Sequence, residues 1–357
     1  MTVWTQVWSR PGRDGPGWLI AERQVDNSFP VLVGDIGGTN ARFAMVENSR
    51  SAAIGFDPVR IEDFPDLDSA IDKAVLSHTG LRPRSMMLAI ATPLVGSTFR
   101  LTNGAWTISP SQTIARFGLS SMTLMNDFAA QGLAALALSR EHLSPIGDAQ
   151  ILENHPKVVI GPGTGLGIAQ VINVSGKWAV IPGEGGHVDL GPRTPRETAI
   201  WEFLRKENGR MSAENALSGR GLENLYQAIS RVEGLDGPHL GASQISAQAG
   251  DGSNPHAREA VELFLTLLAR IAGDMAILTL ARGGIYVAGG IGAKMLPMIR
   301  SSEFRKAFED KAPHEEIMRS IPVNVMTHPT PALEGLAACV RDAGRFSLEG
   351  ATLHFTA

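Results

Sequence analysis

The chain holds a single cysteine, Cys339, among 357 residues. One thiol cannot close an intramolecular disulfide or complete a multi-cysteine metal site, and such sparing use fits a reducing compartment. Cys339 lies in the apolar run Gly335-Leu336-Ala337-Ala338-Cys339-Val340, the setting of a small core residue and not of a nucleophile. A strong charge of either sign is also missing, since the formal net charge is −4. No global field would attract nucleic acid or an anionic membrane, so neither is expected as a partner. A small anionic ligand would have to be held by local backbone donors. Long apolar runs are absent as well. The longest, Val261 to Leu280, is interrupted by Arg270, Gly273 and Asp274, which suits a buried helix better than a membrane span. The first thirty residues scatter Trp4, Trp8 and Trp18 among Pro, Gly, Arg and Asp. No secretory signal is visible there, and the expected location is the cytoplasm.

Two familiar phosphate-binding fingerprints fail. Ser175-Gly176-Lys177 is followed by Trp178, and no glycine stands where a Walker A loop requires one. Gly161-Pro162-Gly163-Thr164-Gly165-Leu166 lacks the last glycine of the dinucleotide pattern. A P-loop fold and a Rossmann dehydrogenase are therefore both disfavoured.

What is present points to a soluble α/β protein. The length exceeds the usual size of one hydrophobic core, so two domains are expected. Hydrophobic residues at 43% and charged residues at 19% are ordinary for a globular chain. Residues 1–29, with breakers at Pro11, Gly12, Gly15, Pro16 and Gly17, read as a flexible arm. Beyond Phe29 the character changes. Val31-Leu32-Val33 is a short apolar strand that runs into Gly34-Asp35-Ile36-Gly37-Gly38-Thr39-Asn40, and Arg42 to Val46 returns as a second strand. A second strand, glycine turn and strand follow over 158–160, Gly161 to Gly167 and 168–172. Two such hairpins suggest duplicated halves facing one cleft. Further strands are expected at 86–91, 122–125, 285–288 and 322–326, with helices at 66–79, 127–138, 195–208, 212–232, 256–281 and 332–342. Strands mixed with helices indicate α/β architecture, and the hairpins require mixed sheets.

Each glycine turn lets backbone approach a bulky anion and offers N–H donors to phosphate oxygens; an ordinary tight hairpin has the same sequence. Asp35, at a strand end, could hold Mg²⁺ through water, because magnesium keeps part of its hydration shell. Asn126-Asp127 falls where a strand gives way to a helix. Asp127 there either caps the helix or serves as the general base that phosphoryl transfer to an alcohol requires, with Asn126 on the ring hydroxyls. Gly183-Glu184-Gly185-Gly186-His187 either is a surface turn or presents Glu184 and His187 to vicinal hydroxyls. Gly289 and Gly290 end the strand from Ile285, where they either form a plain turn or leave a flat face for an adenine ring. Glu214, read alone, is a solvated helix residue.

Together, Gly34-Asp35-Ile36-Gly37-Gly38-Thr39-Asn40-Ala41-Arg42, Asn126-Asp127-Phe128, Gly163-Thr164-Gly165-Leu166-Gly167, Pro182 to His187 and Ala288-Gly289-Gly290-Ile291 resemble the bacterial glucokinase family. That family belongs to the actin-like ATPase (ribonuclease H-like) superfamily with hexokinase and Hsp70. The likeness runs over about residues 30 to 345. It implies two α/β domains with mixed sheets around an interdomain cleft, the smaller formed by 30–137 with about 328–348 and the larger by 138–327. It implies ATP and Mg²⁺ as cofactors, glucose as substrate, and a homodimer. Asp127 matches the family's catalytic base. Asn103, Asn126, Glu184, His187 and Glu214 match its sugar ligands, and the two glycine turns, with Thr164 and Gly165 in the second, match its phosphate-binding turns. Gly289 and Gly290 match its adenosine turn. The longer arm departs from the family, and the lone cysteine separates the chain from the related zinc-containing repressor–kinase group. Rival readings are a kinase for another hexose or an aminosugar, and a non-catalytic sugar sensor on the same fold.

Overall fold

The computed structural model describes residues 28–357, apart from 103, 205, 207–208 and 236–238. The arm expected over 1–29 therefore lies, up to residue 27, outside the described residues, as does Asn103.

In chain order the strands of the first half are β1 (Val31–Ile36), β2 (Asn40–Val46), β3 (Ala53–Gly55), β4 (Val59–Arg60), β5 (Ser85–Ile90), β6 (Phe99–Arg100), β7 (Thr107–Ile108) and β8 (Ser121–Asn126). Those that follow are β9 (Leu143–Ile146), β10 (Lys157–Pro162), β11 (Leu166–Val174), β12 (Lys177–Gly183), β13 (Gly284–Val287), β14 (Val323–Met326), β15 (Phe346–Ser347) and β16 (Thr352–Thr356). They build two large mixed sheets. One has the order β16-β8-β5-β1-β2-β3, with β4 also on β2; the other runs β15-β12-β11-β10-β13-β14-β9. In each, a strand forms an antiparallel hairpin through a glycine turn, β1 with β2 and β10 with β11, and pairs parallel on its other side.

The central strand β1 explains the arrangement. Its six residues are almost all apolar and buried, as befits a strand covered on both faces. Side chains alternate, so Val31 and Val33 enter the core that includes Leu133, Leu336, Val171 and Val180, while Leu32 and Ile36 enter the core of Phe43, Ile71 and Trp106. Asp35 shares the parity of Val31 and Val33. It is thereby aimed at the face where the helix Asp127–Ala137 packs.

That helix and the helix Pro331–Arg341 lie against each other at the middle of the molecule. A methyl group at Gly335 would crowd Ala134 N and Ala130 O at 2.5 and 2.6 Å, so glycine lets the two backbones meet. The apolar run from Val261 falls in the helix Pro255–Thr279, capped by Asn254 through His256 N and Ala257 N. No described helix is long and apolar enough to cross a membrane.

The expected helix 212–232 is two helices, Ala213–Ala216 and Gly219–Val232. Two serine caps cause the break: Ser212 opens the first, and the Ser218 hydroxyl accepts from Gly221 N at 3.0 Å to open the second. β12 and β16 are strands where the sequence suggested none.

Candidate active site

The parallel strands β1, β5 and β8 are in register at their C-terminal ends, with Ile36 beside Ile90 and Ile90 beside Asn126. Ligand sites in α/β sheets gather at such ends. Here the ends deliver the first glycine turn, the segment Thr92-Pro93-Leu94, and Asn126-Asp127.

The first turn is tight. Gly37 N donates to Asn40 O at 3.0 Å, leaving Thr39 exposed at its tip. Gly104 packs beneath it, since a methyl there would lie 3.2 Å from Gly38 O.

Capping of the helix Asp127–Ala137 is done by Asn126. Its side chain accepts from Phe128 N at 2.9 Å and Ala129 N at 3.2 Å, so the Asn126 amide NH₂ is left for other partners. Asp127 uses Oδ1 to accept from Phe128 N at 2.9 Å. Its carboxyl is pushed up to about 6, first by burial, then by the negative charge of Asp35 and, more weakly, of Glu184; the Phe128 N–H pulls the other way. Three motifs far apart in sequence thus meet electrostatically at one carboxylate. Asp35 is itself pushed above the ordinary carboxylate range by burial, against the pull of Arg42. Arg42 faces it directly across the β1–β2 pair, at 3.6 Å. Among the described residues no three His, Cys, Asp or Glu side chains gather closely enough to enclose an ion, so a divalent cation at Asp35 would have to keep most of its own water.

The second glycine turn is cross-tied. Gly163 N donates to Gly165 O at 2.7 Å, and Gly219 N donates to Gly163 O at 2.9 Å. Thr164 stands exposed at its tip. Phe128 wedges behind the turn: a methyl at Gly167 would overlap the Phe128 ring, and one at Gly161 would lie 2.9 Å from Cζ. Gly289, in the left-handed region at φ +84°, abuts Pro162 O at a methyl-to-oxygen distance of 3.0 Å. The Gly289-Gly290 turn therefore borders the second glycine turn.

Glu184 and His187 flank a short 3₁₀ turn, their side chains 3.9 Å apart and both well exposed. Backbone hydrogen bonds tie the residues after it to the segment that leads into Glu214: Ala213 N donates to Val188 O at 2.9 Å and Leu190 N to Met211 O at 3.0 Å. Glu214 Oε2 in turn accepts from Leu166 N at 2.8 Å.

A cavity of about 310 Å³ opens beside Asn126 and Glu184, walled by Thr92, Pro93, Leu94 and Pro182 and by Gly350 to Leu353 of the C-terminal segment. Pro182 belongs to a motif the sequence singled out, but sequence reasoning did not assign Thr92 to Leu94 or Gly350 to Leu353 to the site. The Thr-Pro break after the 86–91 strand and the polar–apolar alternation of Thr352-Leu353-His354-Phe355-Thr356 were the signals that could have found them. A larger cavity of about 710 Å³ elsewhere, with Arg270, Glu303, Arg305, Lys306 and Glu309 in its wall, holds charges already paired with one another or with Glu197. It gathers none of the motif residues.

The site can therefore supply a half-buried carboxylate of raised basicity, further carboxylate and imidazole groups able to pair with hydroxyls, and two turns of backbone donors. Known proteins resemble the chain in sequence and in fold. The family model described as Glucokinase matches residues 32–343. A glucokinase of Mesorhizobium japonicum is 43% identical over 332 residues, covering 93% of this chain and 97% of its own. The structure of a glucokinase from an Antarctic psychrotroph is 32% identical with a TM-score of 0.79, covering 88% of this chain and all of the other. A ROK family glucokinase from Streptomyces griseus, solved with glucose and AMPPNP, shares the fold at 20% identity and a TM-score of 0.59, covering 87% of this chain and 99% of its own. On the family match over most of its length, this chain belongs to the glucokinase family.

Proposed function

We propose that the chain transfers the terminal phosphoryl group of ATP to the 6-hydroxyl of glucose, with Asp127 as general base. The observation that carries this reading is the half-buried Asp127 carboxylate at the start of its helix, within electrostatic reach of both Asp35 and Glu184.

Sugar hydroxyls meet Asn126, Glu184, His187 and Glu214, with the loop around Asn103 completing that side. Asn126 acts as donor because its oxygen is committed to the helix cap. Asp127 Oδ1 is likewise held by Phe128 N, which orients Oδ2 toward the hydroxyl whose proton it accepts. With its carboxyl at about 6, Asp127 is ionised at neutral pH and still basic enough to take that proton. The backbone donors of 37–40 and 163–165 spread the phosphate charge, and Gly289 and Gly290 flank the adenosine. Asp35 would hold Mg²⁺ through water, and the ion would neutralise phosphate charge there. Closing the two units, 30–137 with about 328–348 against 138–327, excludes water that would otherwise take the phosphoryl group. We take the enzyme to act in the cytoplasm.

In a coupled assay with glucose, ATP and Mg²⁺, Asp127→Asn should lose about 10²–10⁴ in kcat while glucose binding persists. Near-wild-type turnover in that variant would remove Asp127 from the role. The same assay over a panel of hexoses and aminosugars separates glucose from rival substrates, and absence of sugar-dependent ADP release would favour a sensor.

A further inference from the structure

The deepest connection between the sugar side and the phosphate side of the site is a single side chain. Glu214 Oε2 accepts from the backbone N–H of Leu166 at 2.8 Å, a charge-assisted bond to the residue that follows the tip of the second glycine turn. The contact is intimate. A methyl group at Gly165 would overlap Oε2 and lie 3.0 Å from Glu214 Cδ. Glycine at 165 is thus required by the carboxylate behind the turn, beyond any need to let phosphate approach in front of it. The segment bearing Glu214 is bound to the same turn a second time through Gly219 N and Gly163 O, 2.9 Å apart. Ser218 Oγ closes the segment on itself by donating to Glu214 O at 2.9 Å. On its other side the segment is laced to the strand of chain after His187.

We propose that Glu214 couples the two substrate sites: sugar engages its free oxygen, Oε1, and Oε2 thereby fixes Leu166 N–H and the turn that receives the phosphates. Sugar occupancy then pre-orders the phosphate turn, nucleotide on the turn tightens sugar binding by the same factor, and a change that pushes Glu214 off the turn weakens sugar binding. This rests on the reading of Glu214 as a sugar ligand.

The test uses the full chain and measures glucose affinity by calorimetry without nucleotide, with thermal melting as the folding control. Gly165→Ala should weaken glucose binding by about 10-fold, within the usual range of such couplings, although position 165 belongs to the phosphate turn. Glu214→Asp withdraws the carboxylate by one methylene and makes room for that methyl. Adding Gly165→Ala to Glu214→Asp should therefore change glucose affinity less than about twofold. A second arm is independent of position 165: saturating glucose should tighten AMPPNP binding by about 10-fold in the wild type and by less than about twofold in Glu214→Asp. If Gly165→Ala binds glucose normally while Glu214→Ala does not, the coupling is wrong and the sugar role stands. Should Glu214→Ala bind glucose normally, the sugar role itself fails and the coupling with it. Full glucose-dependent tightening of AMPPNP in Glu214→Asp also overturns the proposal.

Discussion

Replacing Asp127 by asparagine removes a negative charge from a place already shared with Asp35 and Glu184, and the consequence reaches beyond turnover. Burial and those two neighbours raise the Asp127 carboxyl from 3.8 to about 6. That rise corresponds to about 3 kcal/mol by which the folded state disfavours the ionised form, at about 1.36 kcal/mol per pH unit. Between roughly pH 4 and 6 the folded chain holds a proton that the unfolded chain has released. The penalty is therefore absent below about pH 4, grows as pH rises through 6, and is complete above it. An asparagine side chain would carry no such charge, and its oxygen can still accept from Phe128 N, as Asp127 Oδ1 does.

The variant should thus be nearly inactive yet more stable than the wild type at pH 7.5, by up to about 3 kcal/mol. The advantage should shrink to nothing near pH 4. Paired thermal and urea unfolding at pH 7.5, 6 and 4.5 reads this directly. An Asp127→Asn variant that is equally or less stable at pH 7.5, with no change in the difference as pH falls, would refute the claim that the carboxylate is half-buried and ionised beside Asp35. It would leave the loss of activity to be explained otherwise. Active-site strain of this kind is the expected cost of holding a base where its charge is unwelcome.

Turnover of the wild type should fall on the acid side through a single titration near pH 6, since the base must be ionised; a flat kcat from pH 5 to 8 would exclude Asp127 as that base. Gly167→Ala forces a methyl into the Phe128 ring and should cost about 1–3 kcal/mol of stability; Phe128→Leu in the same chain should recover part of it, as unfolding midpoints would reveal. Glu197, buried and bonded by both terminal nitrogens of Arg270 at 2.8 and 2.9 Å and by Arg193 N at 2.8 Å, should lose about 3–5 kcal/mol on change to alanine. Burial pushes the Glu197 carboxyl up, but the Arg270 and Arg193 bonds outweigh it and hold it below its ordinary value. Its contribution should persist above that ordinary value and disappear as pH drops through the depressed one, visible as a wild-type stability loss that Glu197→Ala lacks.

The parts of the site legible in the sequence are those where chemistry leaves few residue choices. Backbone that must turn at a strand end and expose N–H groups selects glycine, so 37–38 and 163–165 stood out. The base proposed at the strand–helix junction is a carboxylate after a polar residue, hence Asn126-Asp127, although the helix cap proves to be Asn126. Glu214 was illegible by pattern, because its role depends on Leu166, 48 positions away, and only the resemblance singled it out. β12 escaped because Pro182 and Gly183, which end it, belong to the glycine-rich sugar loop and masked the strand before them. The helix 212–232 was read as continuous because its apolar period survives the break at Leu217-Ser218. β16 carries the polar–apolar alternation of a strand, but nothing local names its partner β8, with which it pairs antiparallel.

The two sheets repeat one plan, and the repeat locates the chemistry. In the first, β3, β2, β1, β5 and β8 are neighbours in that order; in the second, β12, β11, β10, β13 and β14 are. The senses of pairing agree at each step, antiparallel twice and then parallel twice. The last strand of each set leads toward one of the two central helices that pack at Gly335. Equivalent positions should then carry equivalent groups, yet β8 ends in Asn126-Asp127 and β14 ends in Met326-Thr327. Electrostatics accounts for the difference. In the proposed reaction one in-line transfer needs one base, and a second at the end of β14 would add negative charge opposite a polyanionic triphosphate. The first half keeps Asp35 and Asp127 at its strand ends, whereas the turns 163–165 and 289–290 of the second carry no charged side chain; its carboxylates Glu184 and Glu214 stand on other segments, at the sugar side of the proposed reaction.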